Sequence, residues 1–333
     1  MMRFIYIGYY LKQMNWPLLR KFIRYVSKTY NRSSISLVWA MLDHVIRYNI
    51  SLLEYFQFRF FEKTPHEKEE WAGTGFMYEY QLKMNPKAER HILDDKRVFA
   101  KKYKEFLVHQ VEDTESLKAH PDKAEQLLHN SSCKIVLKAA DGKCGAQVLV
   151  KKANEYIPQS LIHFLENSEY DLVEAFIIQH ERLQSLSPSA VNTIRIFTQL
   201  THENKVELLG CRLRISVNSP VDNMAAGNMA APIDEQTGIV SGPGVYSDIT
   251  KPDEHIHPIT GVKIEGFQVP YWQESVAMVK RAALKHPQNR SIGWDVVITD
   301  QGPGLIEGNH DWCKLLWQLP VKRGLKGELL KYS

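Results

Sequence analysis

The chain has 333 residues, long enough for two or three packed subdomains of about 100 to 200 residues each, so a small peptide module is excluded. Apolar residues make up 44% and charged residues 24%, with no low-complexity tract, which excludes a mainly disordered chain. Lys plus Arg exceed Asp plus Glu by 42 to 38, a formal +4 that calls for no nucleic-acid partner and suits phosphates or an anionic bilayer equally.

The opening MMRFIYIGYYLKQ is apolar and aromatic but has neither a long uninterrupted apolar core nor a small-residue cleavage site, so no signal peptide is expected. Asp43, His44, Arg47, Glu54 and Arg59 break up the apolar stretch 34–61 well short of a spanning length, so no transmembrane helix is expected either. Leu37, Met41 and Val45, then Leu52, Tyr55 and Phe56, recur at helical spacings and predict a helical region over residues 1–90. Lys12, Arg20, Lys21, Arg24 and Lys28 fall among aromatic and aliphatic residues. That pattern fits a helix lying on a membrane surface, or a solvated basic face over an ordinary core. Cys133, Cys144, Cys211 and Cys313 are far apart and lack metal-ligand spacing, as expected of reduced thiols in the cytosol.

From about residue 94 short β runs alternate with helices. KIVLKAA (134–140) and AQVLVKK (146–152) flank DGKCG and predict a hairpin. A helix near 157–167 follows, then YDLVEAFIIQ, and then NTIRIFTQL and KVELLGCRLRISV joined by a polar turn at 202–204. Residues 218–270, rich in Gly, Pro and Asn, are long enough to predict a substrate-facing loop, and a helix over 273–285 precedes a last hairpin.

In that last hairpin, GWDVVITDQGPGLIEGN, the alternation places Asp295 and Glu307 opposite or nearly opposite one another, with Asn309 on the same face. Cross-strand neighbours have Cβ atoms about 4.5 to 5.5 Å apart, so the two carboxylates repel unless a cation joins them. Oxygen ligands of this kind suit Mg²⁺; the alternative is a solvent-facing polar edge with Gly308 as a bulge. Lys138 ends a β run just before the glycine turn, where Gly142 and Gly145 could cover phosphates with backbone N–H groups. The turn is not a Walker A loop, because no Ser or Thr follows the lysine. Asn192 and Arg195 stand near a strand start. Arg195, Arg212 and Arg214 lie in apolar β runs, where an unpaired charge is costly and either a phosphate or an internal acid must answer it.

An Asp, about a dozen residues and then Glu-x-Asn resembles the metal site of the ATP-grasp superfamily. Together SPSAVNTIRIFT, PVDNMAAGN, IDEQTG, HPITG, VPYW, SIGWDVVIT and LIEGN resemble its subfamily associated with sugar transfer and surface polysaccharide genes, over residues 90–320. The resemblance implies an α+β ATP-grasp fold, two subdomains gripping ATP between antiparallel sheets. Residues 91–180 would bind the nucleotide and 181–333 the metal and acceptor. It further implies that Lys96 assists the nucleotide, that Glu174 and the backbone of Ala175 and Phe176 hold adenine, and that Gln179 or His180 approaches the ribose. Asp222, Asn223 and His257 are acceptor contacts or turn residues. One departure is Gly227-Asn228, where the family pattern leads us to expect Gly-Gly.

The implied activity is ATP- and Mg²⁺-dependent ligation of a carboxylate acceptor to an amine donor, for example a sugar acid and an amino acid, in the cytoplasm, with peripheral membrane association a further option. Lys138 and Arg195 would neutralise the phosphoryl group as it moves. A kinase acting on a sugar hydroxyl, or a nucleotide-binding scaffold without turnover, are the competing readings. Absence of GxSxG, HExxH and a kinase catalytic loop leaves no case for a covalent nucleophile.

Overall fold

The computed structural model describes residues 14–140 and 148–332; Lys12, Gly142, Cys144 and Gly145 lie outside them. The described chain opens with α1 (Trp16–Thr29), started by Pro17 in the first turn and by the Asn15 side chain accepting the Leu18 N–H at 3.0 Å. In α2 (Ser34–Tyr48) the buried positions are Leu37, Met41 and Val45, as their spacing predicts, and Asn49 in the left-handed region (φ 54°) ends it. A Ser51/Glu54 capping box opens α3 (Leu52–Gln57), and α4 (Thr74–Met84) completes the helical region. Glu54 is 1% exposed and is answered by Thr74 Oγ1 at 2.6 Å and Lys314 Nζ at 2.8 Å, which ties these helices to the C-terminal part of the chain.

After α5 (Lys96–Lys102) come β1 (Val111–Asp113), β2 (Lys134–Lys138), β3 (Val148–Lys152), α6 (Pro158–Glu166) and β4 (Leu172–Ala175). The strands form an antiparallel sheet in the order β1-β4-β2-β3, and the expected hairpin is β2 with β3, Lys138 facing Val148. The second sheet contains β5 (Ile194–Leu200), β6 (Val206–Ile215), β7 (Met229–Ile233), β8 (Val245–Tyr246), β9 (Ser291–Thr299) and β10 (Gly302–Asn309). Its order is β10-β9-β5-β6-β7-β8, again antiparallel throughout. Helices with two antiparallel sheets and a helical N-terminal region make this an α+β protein, as the sequence predicts.

One expectation needs correcting. Residues 218–270 are not a single loop: they contribute β7 and β8 to the large sheet and further bridges such as Ile256 to Lys263. The Gly and Pro content hid short strands whose buried residues Met229 to Ile233 fit the sheet on both faces.

The large sheet is covered on both sides. On one face Ile194, Ile196 and Leu213 pack with α7 (Trp272–Lys285) through Met278, Val279 and Ala282. On the other, Phe197, Ala230 and Val245 share a core with Phe22, Phe56 and Tyr80 of the N-terminal helices and with Trp317 of α8 (Lys314–Gln318). The helical region is therefore part of the wall of the sheet face that also carries Arg195, since residues two apart on β5 share a side. Among the described residues no helix is long and apolar enough to cross a membrane.

Candidate functional site

Two polar clusters stand on the two sheets. On the small sheet, Lys138 closes β2 and reaches across to β4, its Nζ 2.6 Å from Glu174 Oε2. His109 Nε2 lies 3.3 Å from the same oxygen, and its Nδ1 is buried without a partner among the described residues. Burial opposes ionisation of Glu174, but the charges of Lys138 and His109 outweigh it and bring its pKa to about 2. Lys96 opens α5 behind the Asp95 cap, donates its N–H to Ala140 O at 3.2 Å and brings Nζ to 3.4 Å from Ala139 O. The two lysines named from sequence thus meet at the end of β2.

On the large sheet the registers Arg195 with Arg212, Arg195 with Asp295, and Asp295 with Glu307 align four charged residues in one row on one face. A bulge at Ile306, not at Gly308, restores the Asp295–Glu307 pairing, and Asn309 falls opposite Gly293. Asp295, 3% exposed, takes a bidentate hold from Arg195, with Nη2 at 2.9 Å, and a further bond from Arg214 Nη1 at 2.8 Å. Arg214 also reaches Asp222 at 2.7 Å, and Asp222 accepts the Thr193 N–H at 2.8 Å and its hydroxyl at 2.6 Å.

Burial disfavours the Asp295 charge, but the two arginines win and hold its pKa at about 2; Arg214 is likewise pushed up by Asp222 and Asp295 despite its burial. Glu307 is shifted the other way. Burial and the neighbouring Asp295 raise its pKa, partly offset by Arg195 and by Asn309 Nδ2, 3.2 Å from Oε1. Gly293 gives this row its close backing, because a Cβ there would stand 2.7 Å from Trp312 Cβ and 3.2 Å from Arg195 Cδ.

Several residues expected to touch ligand are instead saturated by the protein. Gln179 donates to Gln184, Ser187 O and Ala190 O and accepts from Asn192, which itself bonds Ser187 O and Ser216 N, so both side chains brace the chain between β4 and β5. Arg212 donates to the carbonyls of Trp317 and Cys211 at 3.0 and 2.7 Å, and burial draws its pKa down to about 10. Asp222 is held by Arg214 and Thr193, while His257 is 1% exposed with Nε2 2.9 Å from Ser216 O and Nδ1 accepting from Thr260 at 3.2 Å. Asn223 caps a short turn through Ala225 N at 3.3 Å.

The segment expected to hold adenine, Glu174 to Phe176, has its own partners. The N–H groups of Ala175 and Phe176 are spent on Gln110 O at 2.9 Å and Lys134 O at 3.2 Å, whereas Ile177 and Ile178 have no backbone acceptor among the described residues. The Glu174 carboxylate is taken by Lys138. His180 starts a short helix, its Nδ1 accepting from Arg182 at 3.2 Å while its own N–H reaches Ile298 O on β9 at 2.8 Å. At the departure from Gly-Gly, Gly227 needs its glycine conformation (φ +89°). Asn228 has no such φ; fully buried, it pins the preceding loop through Val217 N at 2.8 Å and Val221 O at 2.6 Å. His109 was not legible in the sequence, for no motif marks it; only the fold brings it to Glu174.

Asp295, Glu307 and Asn309 therefore converge as expected, backed by Arg195 and Arg214, while Lys96, Lys138, Glu174 and His109 form the second group. Among the described residues there is no cluster of three or more His, Cys, Asp and Glu that could hold a metal ion.

A family model described as sugar-transfer associated ATP-grasp matches residues 76–332. No curated protein matches. Among solved structures, a biotin carboxylase–β,γ-ATP complex from Campylobacter jejuni is similar at 10% identity and TM-score 0.45, covering 73% of this chain and 46% of its own. The ADP complex of an N5-carboxyaminoimidazole ribonucleotide synthetase is similar at 10% identity and TM-score 0.39, covering 66% and 45%. D-cycloserine synthetase is similar at 12% identity and TM-score 0.41, covering 74% and 73%. The chain spans under half the length of the first two of these.

Proposed function

The chain belongs to the sugar-transfer associated ATP-grasp family, and from that premise we propose that it is an ATP-dependent carboxylate–amine ligase working through an acyl phosphate. Its substrates in this reading are a surface polysaccharide or a sugar precursor bearing a carboxylate, and an amine such as an amino acid. Residues 91–180 bind the nucleotide, and residues 181–333 bind the metal and the acceptor.

One observation supports the reading: Asp295 and Glu307 are registered partners on the face where Asn309 also stands, and burial with the neighbouring Asp295 raises the Glu307 pKa despite Arg195 and Asn309. A structural role alone would favour replacing one of two facing acids. The donors are all oxygen, so the set fits Mg²⁺, held by Asp295, Glu307 and Asn309, which when bound neutralises phosphate oxygens of ATP. Arg195 and Arg214 fix the Asp295 carboxylate, and Lys138 stands ready at the end of β2 to exchange Glu174 for a phosphate oxygen. The acceptor carboxylate attacks the γ-phosphorus and the bond to ADP breaks. The amine then attacks the acyl carbon, phosphate departs and the amine loses a proton. Positioning and electrostatics supply the rate, with no covalent enzyme intermediate.

The test is a phosphate-release screen of sugar acids against amino acids and amines. A ligase releases phosphate only when a carboxylate and an amine are both present, and Glu307→Ala abolishes the release. Phosphate left on the acceptor would establish a kinase instead, and unchanged turnover in Glu307→Ala would sink the metal assignment.

A further inference from the structure

Helix α2 has two apolar faces. Leu37, Met41 and Val45 are buried against the core. Ile35, Trp39, Leu42 and Ile46 form a second stripe, at steps of four, three and four residues, and are 72%, 71%, 38% and 41% exposed. Trp16, at the start of the neighbouring α1, is a further 45% exposed. Single exposed apolar side chains are ordinary, but a continuous stripe of four, with no charge within it, marks a surface that is covered in use.

Charge says by what. Residues 14–49 hold six basic residues against Asp43 alone, a formal +5 where the whole chain carries +4. Lys21 is answered by Asp248 at 2.6 Å, but Arg20, Arg24 and Lys28 face solvent from α1, and exposed Arg32 and Arg47 stand at the two ends of α2. Arg32 and Arg47 flank the α2 stripe, and on α1 the exposed Trp16 shares one row, at steps of four, with Arg20, Arg24 and Lys28. Basic residues together with exposed tryptophan match the headgroup boundary of an anionic bilayer, where an indole is half in hydrocarbon and half in water. We propose that the outer face of α2, with the basic face of α1, docks this protein onto an anionic lipid surface. The inference stands independently of the ligase reading, because none of these residues belongs to either polar cluster.

The test is co-sedimentation of the full chain with sucrose-loaded vesicles of phosphatidylglycerol and phosphatidylcholine, or of phosphatidylcholine alone. The chain should pellet with the anionic vesicles at low ionic strength and be released at about 0.5 M salt, where screening is complete within a few ångströms. Trp39→Ala with Ile35→Ser should lower partitioning at least about tenfold while leaving the thermal midpoint in place, since both side chains are exposed. Arg20→Gln with Arg24→Gln should lower it about 25-fold, roughly fivefold for each basic residue. The proposal is overturned if the parent chain ignores anionic vesicles or if both double variants bind as the parent does. A lowered thermal midpoint in the vesicle-free Trp39 variant would show the stripe covered within the chain, and a dimer dissolved by that variant would show it covered by a second copy; either result overturns the proposal as well.

Discussion

The two sheets carry their charges in opposite ways. In the large sheet every residue of β5 is buried, and the ion-pair network of Arg195, Arg214, Asp295 and Asp222 is neutralised internally by bonds of 2.7 to 2.9 Å. In the small sheet β3 alternates between exposed and half-buried positions, and Lys138 and His109 share one carboxylate, Glu174, with a buried His109 nitrogen left over. The large sheet is a preset frame whose one unresolved charge is Glu307. The small sheet holds Lys138 on Glu174, a carboxylate that it shares with His109. Burial on both faces fixes geometry, and burial on one face leaves room to exchange partners.

The sharpest way to break this contrast is Asp295→Ala. Two buried arginines then lose a shared carboxylate, and we expect a loss of about 3 to 5 kcal/mol in urea unfolding together with loss of ATP-dependent turnover. A loss below about 1 kcal/mol would mean that the row is not a frame. Next in size is the acid response of the two glutamates, which have opposite signs. Glu174, held at about 2, contributes stability that is present above its ordinary value near 4.5 and disappears as pH falls through about 2. Glu307, held above its ordinary value, takes stability away as pH rises through its folded pKa. Glu174→Gln should therefore flatten the acid limb of the stability curve, whereas Glu307→Gln should raise metal-free stability at neutral pH by about 1 kcal/mol, the scale of one facing pair of like charges. Equal slopes in the two variants would erase the distinction between the sheets. The smallest structural effect belongs to Lys138→Ala, which leaves Glu174 with His109 and should cost about 1 kcal/mol of stability while raising the KM for ATP tenfold or more. An unchanged KM would remove Lys138 from the nucleotide site.

Much of this was legible along the chain because it depends on local period. The alternation in GWDVVITDQGPGLIEGN pointed to Asp295, Glu307 and Asn309 on one face, although the register is completed only by the bulge at Ile306, and the step of three and four placed Leu37, Met41 and Val45 inward. Short strands defeated the same reading: β7 and β8 lie in a stretch whose glycines and prolines suggest a loop, because five or two residues are too few to show a period.

Sequence by itself determined which residues could carry charge in apolar runs, and hence that Arg195, Arg212, Arg214 and Lys138 needed partners. Only the tertiary structure decided who those partners are. Arg212 goes to the Trp317 carbonyl, Arg214 to Asp222 and Asp295, and Asn192 and His257 to backbone groups of Ser216, 24 and 41 residues away. A side chain's period is local and can be counted. Its hydrogen-bond partner is set by packing across tens or hundreds of residues, as the Arg195–Asp295 pair, 100 residues apart in sequence, illustrates.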